Sequence, residues 1–324
     1  MTPTPYSSKP WLPVAALVIC TAGWGISFSL MRNWQTAPLP DIPLPGLVSS
    51  LTLIGLRMGF ALLLFALIRP RLVASLGVKD LIPGAMVGIP LWLGFVLQLW
   101  GLVYTTPAMS AFFTSLGSLW VPLLYLLVGK RIPLWIWLGY GLAFVGLVVL
   151  VEGGWRWGVG EFLSLGCSIL FAFQIIGLDR FGKGIDGNRI SPVLFGINGL
   201  FSLILAVVVC SWNGALQPWR GWVVERLTDG PTLWDLGLMV IFPTLMSYSL
   251  MNAFQPLLSA ERAAIIYLLE PIFSLLFSLW FGHDELLFPV IVGGGLILAG
   301  VAWTELGGGI AGGKEETEKG TEVP

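Results

Sequence analysis

The sequence predicts an all-α membrane protein of ten transmembrane helices, arranged as two inverted five-helix repeats. Three observations lead there: a near absence of charge, a one-sided distribution of the few basic residues, and a glycine-patterned segment that occurs twice. Of the 324 residues, 56% are apolar and 11% charged, with a mean hydropathy of +0.85. Ordinary globular chains carry about 25% charged residues, and a water-soluble protein with so few could not cover its surface. The same composition excludes a disordered chain and a disulfide-dense scaffold. A formal net charge of -1 offers no field for nucleic acid.

Between Leu81 and Gly129 there is no Asp, Glu, Lys or Arg. One crossing takes about 20 apolar residues, so this stretch holds two, parted near Tyr104-Thr105-Thr106-Pro107. The same reading places the ten spans at residues 11–31, 47–68, 81–104, 108–128, 133–151, 158–178, 190–212, 233–254, 263–281 and 286–303. The polar/apolar alternation of a β-barrel is absent. Proline-rich residues 35–46 predict an extended external loop. Residues 218–227 read either as a plain loop or as a short interfacial helix with Trp219, Trp222, Val223 and Leu227 on one face. Residues 1–10 form a short arm without a cleavable signal, and 307–324, Gly-rich then Glu/Lys-rich, predict a disordered tail. Cys20, Cys167 and Cys210 all fall inside spans, where a small buried hydrophobe is the expected role.

Ten spans leave both termini on one side. That side receives Lys9, Arg69, Arg71, Lys79, Lys130, Arg131, Arg180, Lys183, Arg189, Arg262, Lys314 and Lys319. The other receives Arg32, Arg156, Arg220 and Arg226, and Arg57 alone lies mid-span. The positive-inside rule therefore puts both termini in the cytoplasm of a multi-pass inner-membrane protein. A missed or false span would scramble this segregation.

Gly139-Tyr140-Gly141-Leu142-Ala143-Phe144-Val145-Gly146 in the fifth span returns in the tenth as Gly293-Gly294-Gly295-Leu296-Ile297-Leu298-Ala299-Gly300. Before each, an apolar helix runs into a turn, Gly129-Lys130-Arg131 and Gly282-His283-Asp284-Glu285. The repeats are thus 11–151 and 152–306. Because five is odd, the second enters the membrane inverted, an arrangement typical of transporters with a site between the halves.

Trp24-Gly25, Leu56-Arg57, Tyr104-Thr105 through Ala111 to Pro122 and Gly129, Leu269-Glu270-Pro271 leading to Gly282 and Glu285, and the closing Gly295–Gly300 segment occur in this order. In that order and spacing the chain resembles the EamA-type branch of the drug/metabolite transporter superfamily over nearly its whole length. The resemblance implies a ten-helix carrier of two inverted repeats, many of whose relatives export amino acids and other small metabolites. The first half departs from the pattern with Gly117-Ser118 where the second has Glu270-Pro271, so any role of that glutamate is one-sided.

Charge inside hydrocarbon costs roughly 2.5–3.5 kcal/mol at a helix centre on insertion scales and needs a reason. Arg57 lies roughly 16 Å and Glu270 roughly 12 Å of helix rise from the cytoplasmic ends of their spans. At similar depths they either face a central cavity and meet a charged or zwitterionic substrate, or form a structural pair; snorkelling is a third reading for Arg57. Tyr267, Glu270, Ser274 and Ser278 make a polar stripe, as do Thr244, Tyr248, Asn252 and Gln255. Trp92, Phe95 and Gln98 share a face of the third span, and Gln174 adds an amide on the sixth. These patterns suit a wet cavity, with interhelical hydrogen bonding as the bland alternative. The candidate substrate-binding residues are Arg57, Trp92, Gln98, Tyr248, Asn252, Tyr267 and Glu270. Gly55 and Gly59, like Gly84 and Gly88, have the spacing of close helix packing, with Arg57 turned nearly opposite Gly55.

Catalysis has little to work with. His283 is the single histidine and falls in an external turn, there is no His-rich metal site, and the glycine run 293–295 lacks the lysine of a nucleotide-binding loop. No enzyme activity and no cofactor are expected. The reading is a secondary transporter that moves small, amino-acid-like metabolites outward by alternating access, with the bilayer and a small-molecule substrate as partners. Proton coupling and homo-oligomerisation stay open, and no nucleic acid partner is expected. Rivals are a carrier of nucleotide-sugars, lipid-linked intermediates or cationic drugs, and, outside transport, a membrane enzyme or a scaffold with a dry core.

Overall fold

A computed structural model describes residues 11–35, 44–105, 107–150, 157–183, 185–280 and 288–321, with backbone only for 107, 108, 150, 278, 290 and 308–321. Every regular element among them is helical: α1 (Trp11–Gln35), α2 (Pro45–Ile68), α3 (Pro70–Ala74), α4 (Val78–Leu102), α5 (Pro107–Leu127), α6 (Leu134–Leu150), α7 (Val159–Phe181), α8 (Gly187–Trp212), α9 (Leu216–Thr228), α10 (Gly230–Met239), a π-helical segment (Val240–Met246), α11 (Ser247–Phe254), a 3₁₀ turn (Gln255–Leu257), α12 (Ala260–Tyr267), α13 (Glu270–Trp280) and α14 (Phe288–Thr321).

Seven helices among the described residues are long and apolar enough to cross a membrane, and two shorter apolar ones are Leu134–Val149 and Ile291–Gly307. The expected ninth span is not one helix. It breaks after Tyr267, where Leu268 and Leu269 turn with i→i+3 bonds to Ile265 and Ile266. Pro271 explains the break: it has no N–H to give Tyr267, yet it suits the first turn of a new helix. The last helix continues through the Gly-rich and Glu/Lys-rich stretch to Thr321, where composition predicts disorder; Glu and Lys are good helix formers once a helix has nucleated. The predicted loop 35–46 and His283 fall mostly or wholly outside the described residues.

Residues 218–227 are helical, within α9, but their apolar face turns inward. Trp219 and Trp222 are buried, the Trp219 indole donates to Thr52 Oγ1 at 2.9 Å, and the Trp222 ring stacks edge-on against Trp34. Asp229 caps the next helix by accepting from Thr232 N at 3.0 Å, and these bonds hold its carboxyl below the usual carboxylate range.

The helices pack as α6 on α14, α4 on α7 and α8, α2 on α8, α5 on α7, and α1 on α13, α11 and the π segment. Small residues let backbones meet at these crossings. A Cβ on Gly25 would lie 2.6 Å from that of Phe273 and 2.7 Å from the Ser274 nitrogen, so α1 and α13 touch backbone to backbone. Gly55, Gly84 and Gly88 all face α8, which leaves Arg57 free to point the other way.

Among the described residues, one end of the bundle carries four ion pairs. Arg189 grips Asp80 with two bonds of 2.7 Å, Lys130 meets Glu261 at 3.1 Å, Lys183 meets Asp179 at 2.7 Å, and Arg262 meets Glu305. Gly129, at φ 81°, makes the left-handed turn that ends α5 and returns Lys130 N to Tyr125 O at 2.9 Å. That turn lays the ammonium over the Tyr125 ring, 4.1 Å from its centroid.

Candidate functional site

A cavity in the middle of the bundle is lined by α1, α2, α4 and α5 from the first half and by α7, α11, α12 and α13 from the second. Its volume is about 60 Å³, above the ~10–15 Å³ that a cavity needs to hold a water. Five of the seven predicted residues line it: Arg57, Gln98, Tyr248, Tyr267 and Glu270.

Arg57 is 3% exposed and held from several directions. Its Nε donates to Thr244 Oγ1, its Nη2 to the Pro243 carbonyl at 3.4 Å, and its Nη1 approaches Met31 Sδ at 3.8 Å. The guanidinium also lies over the Phe95 ring, 5.3 Å from the centroid. The acceptors exist because the backbone widens at Val240–Met246. Thr244 Oγ1 donates to Met239 O at 2.6 Å and Ser247 Oγ to Phe242 O at 2.9 Å, each five residues back. Such π segments recur at functional sites. Replacing Thr244 by Val leaves a buried guanidinium without its nearest acceptor and is expected to cost about 1.5–3 kcal/mol, read as a lowered unfolding temperature in detergent.

Glu270 opens α13, directly after the break. Its carboxylate has no hydrogen-bond or ion partner among the described residues, and no ion pair joins it to Arg57. The first turn of a helix favours negative charge through its unpaired N–H groups. Aromatic rings frame the space: Trp24 lies 5.5 Å from Tyr248 and 5.2 Å from Tyr267, and Phe95 6.0 Å from Tyr248, centroid to centroid. The Trp24 indole N–H is buried without a partner among the described residues. Tyr267 donates to Gln255 Oε1 at 2.8 Å, and Gln98 to Thr114 Oγ1 at 3.4 Å.

Trp92 and Asn252 do not line the cavity. At 100° per residue, Leu91, Phe95 and Gln98 fall within about 60° of one another on α4, while Trp92 lies about 120° from Gln98. Its indole instead donates to Ser202 Oγ on α8 at 2.8 Å. Asn252 is fully buried and donates to Ser191 Oγ at 3.0 Å, while its stripe neighbour Gln255 donates to Ile175 O at 2.9 Å. That part of the stripe is interhelical hydrogen bonding.

Residues that the candidate set omitted also line the space: Trp24, Ser27, Phe95, Thr114, Ser118 and Gln174 among them. Trp24 was legible only as part of the Trp24-Gly25 pair, whose glycine brings α1 close enough to present the indole. Gly117 and Ser118, the counterpart in the first half of Glu270-Pro271, open into the same cavity as Glu270.

Residues 158–306 match the EamA-like transporter family. A protein of Archaeoglobus fulgidus described as an uncharacterized transporter is 28% identical over 201 residues, 61% of this chain, and the chain spans 60% of that relative's length. A crystal structure at 15% identity superposes on 92% of this chain and 97% of its own with a TM-score of 0.65, a likeness of fold. Its apolar helices make the chain a multi-pass membrane protein, and its second half is similar to the EamA-like transporter family.

Proposed function

We propose that this membrane transporter is a secondary carrier of small, amino-acid-like metabolites, working outward from the cytoplasm by alternating access across an inner membrane. The observation that carries the reading is the central cavity, built from both halves of the chain and lined by Arg57 and by a Glu270 that makes no hydrogen bond or ion pair with a described residue. A scaffold would have a dry core there, and an enzyme would gather nucleophiles or metal ligands at one face. Among the described residues no group of His, Cys, Asp or Glu is placed to hold a metal.

The ten-span, two-repeat arrangement belongs to this proposal and draws support from the packing. Spans are counted here with α10–α11 as the eighth, α12–α13 as the ninth and α14 as the tenth. The first then packs on the ninth as the sixth packs on the fourth, and the first on the eighth as the sixth on the third. The second meets the seventh, and the fifth meets the tenth. Exchanging partners five apart is the pattern that two inverted copies generate. Cytoplasmic termini follow from the basic residues on the terminal side.

Uptake or efflux of labelled amino acids by vesicles containing the purified protein tests the function. Substrate-dependent flux above that of empty vesicles is expected, and its response to an imposed pH gradient separates proton coupling from facilitated diffusion. Vesicles no leakier to any metabolite than empty ones overturn the reading.

A further inference from the structure

Which end of an amino-acid-like solute does the cavity read? The two charged residues that line it stand in different conditions. Every nitrogen of the Arg57 guanidinium has a contact in the protein: Thr244, the Pro243 carbonyl and Met31, with the Phe95 face beside it. Arg57 is therefore a positioning residue that ties α2 to the π segment and supplies positive charge at a distance. Three of its five N–H groups point at these partners, the Nε–H among them, so the side-on fork through Nε that would clamp a substrate carboxylate is taken.

Glu270 is the opposite case: its carboxylate makes no hydrogen bond or ion pair with a described residue, the Arg57 charge acts on it only at longer range, and it lines the same cavity as Trp24, Tyr248 and Tyr267. A carboxylate beside aromatic faces suits an ammonium group, which gains a charge-assisted hydrogen bond from the one and quadrupole attraction from the others. The orphan indole N–H of Trp24 is a neutral donor. It suits an oxygen of any kind on the far side of the solute, whether hydroxyl, carbonyl or carboxylate.

Resting on the transport reading above, we propose that Glu270 and its aromatic surround recognise the amino group of the substrate, so that a free amine is required and a carboxylate is not. Amino acids and their decarboxylated amines both enter the site, while solutes whose nitrogen is acylated do not.

The test uses the full-length protein in detergent, with binding read as ligand-dependent thermal stabilisation. Alanine, valine and phenylalanine are each supplied as the free amino acid, the decarboxylated amine, the methyl ester and the N-acetyl acid. The expected result for at least one side chain is that the amino acid, amine and ester bind comparably and the N-acetyl acid about ten- to hundredfold more weakly. The ester adds bulk while keeping the amine, so it separates a charge requirement from a size limit. Glu270→Gln is expected to remove the preference for the free amine; the wild-type series stands as a test by itself if that variant does not fold. Equal binding of amine and N-acetyl acid overturns the proposal, as does loss of binding on decarboxylation, which would return the carboxylate to Arg57. Absence of any response to the amines overturns it too. A protein that carries metabolites in vesicles without preferring the free amine defeats this inference alone, whereas one that carries nothing defeats the transport reading beneath it.

Discussion

Glu270→Gln is expected to lower transport by roughly ten- to hundredfold while leaving the quantity and thermal stability of the protein in the membrane unchanged. The fold-change is the worth of one charge-assisted contact, about 1.5–3 kcal/mol. Stability is spared because the carboxylate makes no hydrogen bond or ion pair with the described residues. The amide has nearly the same shape and avoids placing a charge inside the bundle. Flux in vesicles, normalised to protein measured by immunoblot, reads the first effect, and the unfolding temperature in detergent reads the second. Parallel losses of folded protein and of flux would mean instead that Glu270 supports the structure, as a partner at longer range for Arg57.

The second large effect concerns stability. Gly300→Val is expected to cost about 3 kcal/mol or more, beyond the upper part of the usual range for overpacking, and to deplete folded protein from the membrane. A Cβ at Gly300 would stand 2.9 Å from the Ala143 nitrogen and 3.1 Å from its Cβ, and would run into the Gly139 carbonyl. At the next crossing, a Cβ on Gly146 would lie 2.5 Å from the Gly293 oxygen and 2.8 Å from the Ile297 nitrogen. These obstacles are mostly backbone, which cannot rotate aside as a side chain does. Gly141 lies in the same motif with nothing within 4 Å of its would-be Cβ. Gly141→Ala should therefore be neutral or slightly stabilising, since it removes unfolded-chain entropy at a helical position. Unfolding temperatures of the two variants check both halves of the prediction, and a tolerated valine at 300 would refute the packing argument.

Much of this molecule was legible because charge is scarce. A mid-span arginine and glutamate stand out against apolar sequence, and both reach the cavity. The twice-occurring glycine motif marked two helices, α6 and α14, that meet backbone to backbone at Gly139–Gly300 and Gly146–Gly293. Helical phase was less forgiving. A three-residue step from Trp92 to Phe95 falls 60° short of a full turn, and two such steps carried the inference from the α8 face to the cavity face. The π segment was invisible, because apolar periodicity does not report i→i+5 bonding, although Pro243 beside Thr244 was the available sign. Pro271 signalled the break before α13, yet a long apolar run masked it. The partners of Arg57 on the π segment lie more than 180 residues away in sequence, beyond any local pattern.

The two ion pairs that bind the first half of the chain to the second, Asp80 to Arg189 and Lys130 to Glu261, sit at the same end of the bundle. At the other end the cross-half contacts include hydrogen bonds: Asn33 to Asp235, Thr105 to Glu161, and Trp219 to Thr52. In a carrier that rocks about its centre, each end opens by parting its own set. Dissolved ions screen ion pairs, though less where one partner is buried, as Asp80 and Glu261 are. On the alternating-access reading proposed above, the two ends would therefore respond unequally to salt, by an amount that the burial of Asp80 and Glu261 keeps modest.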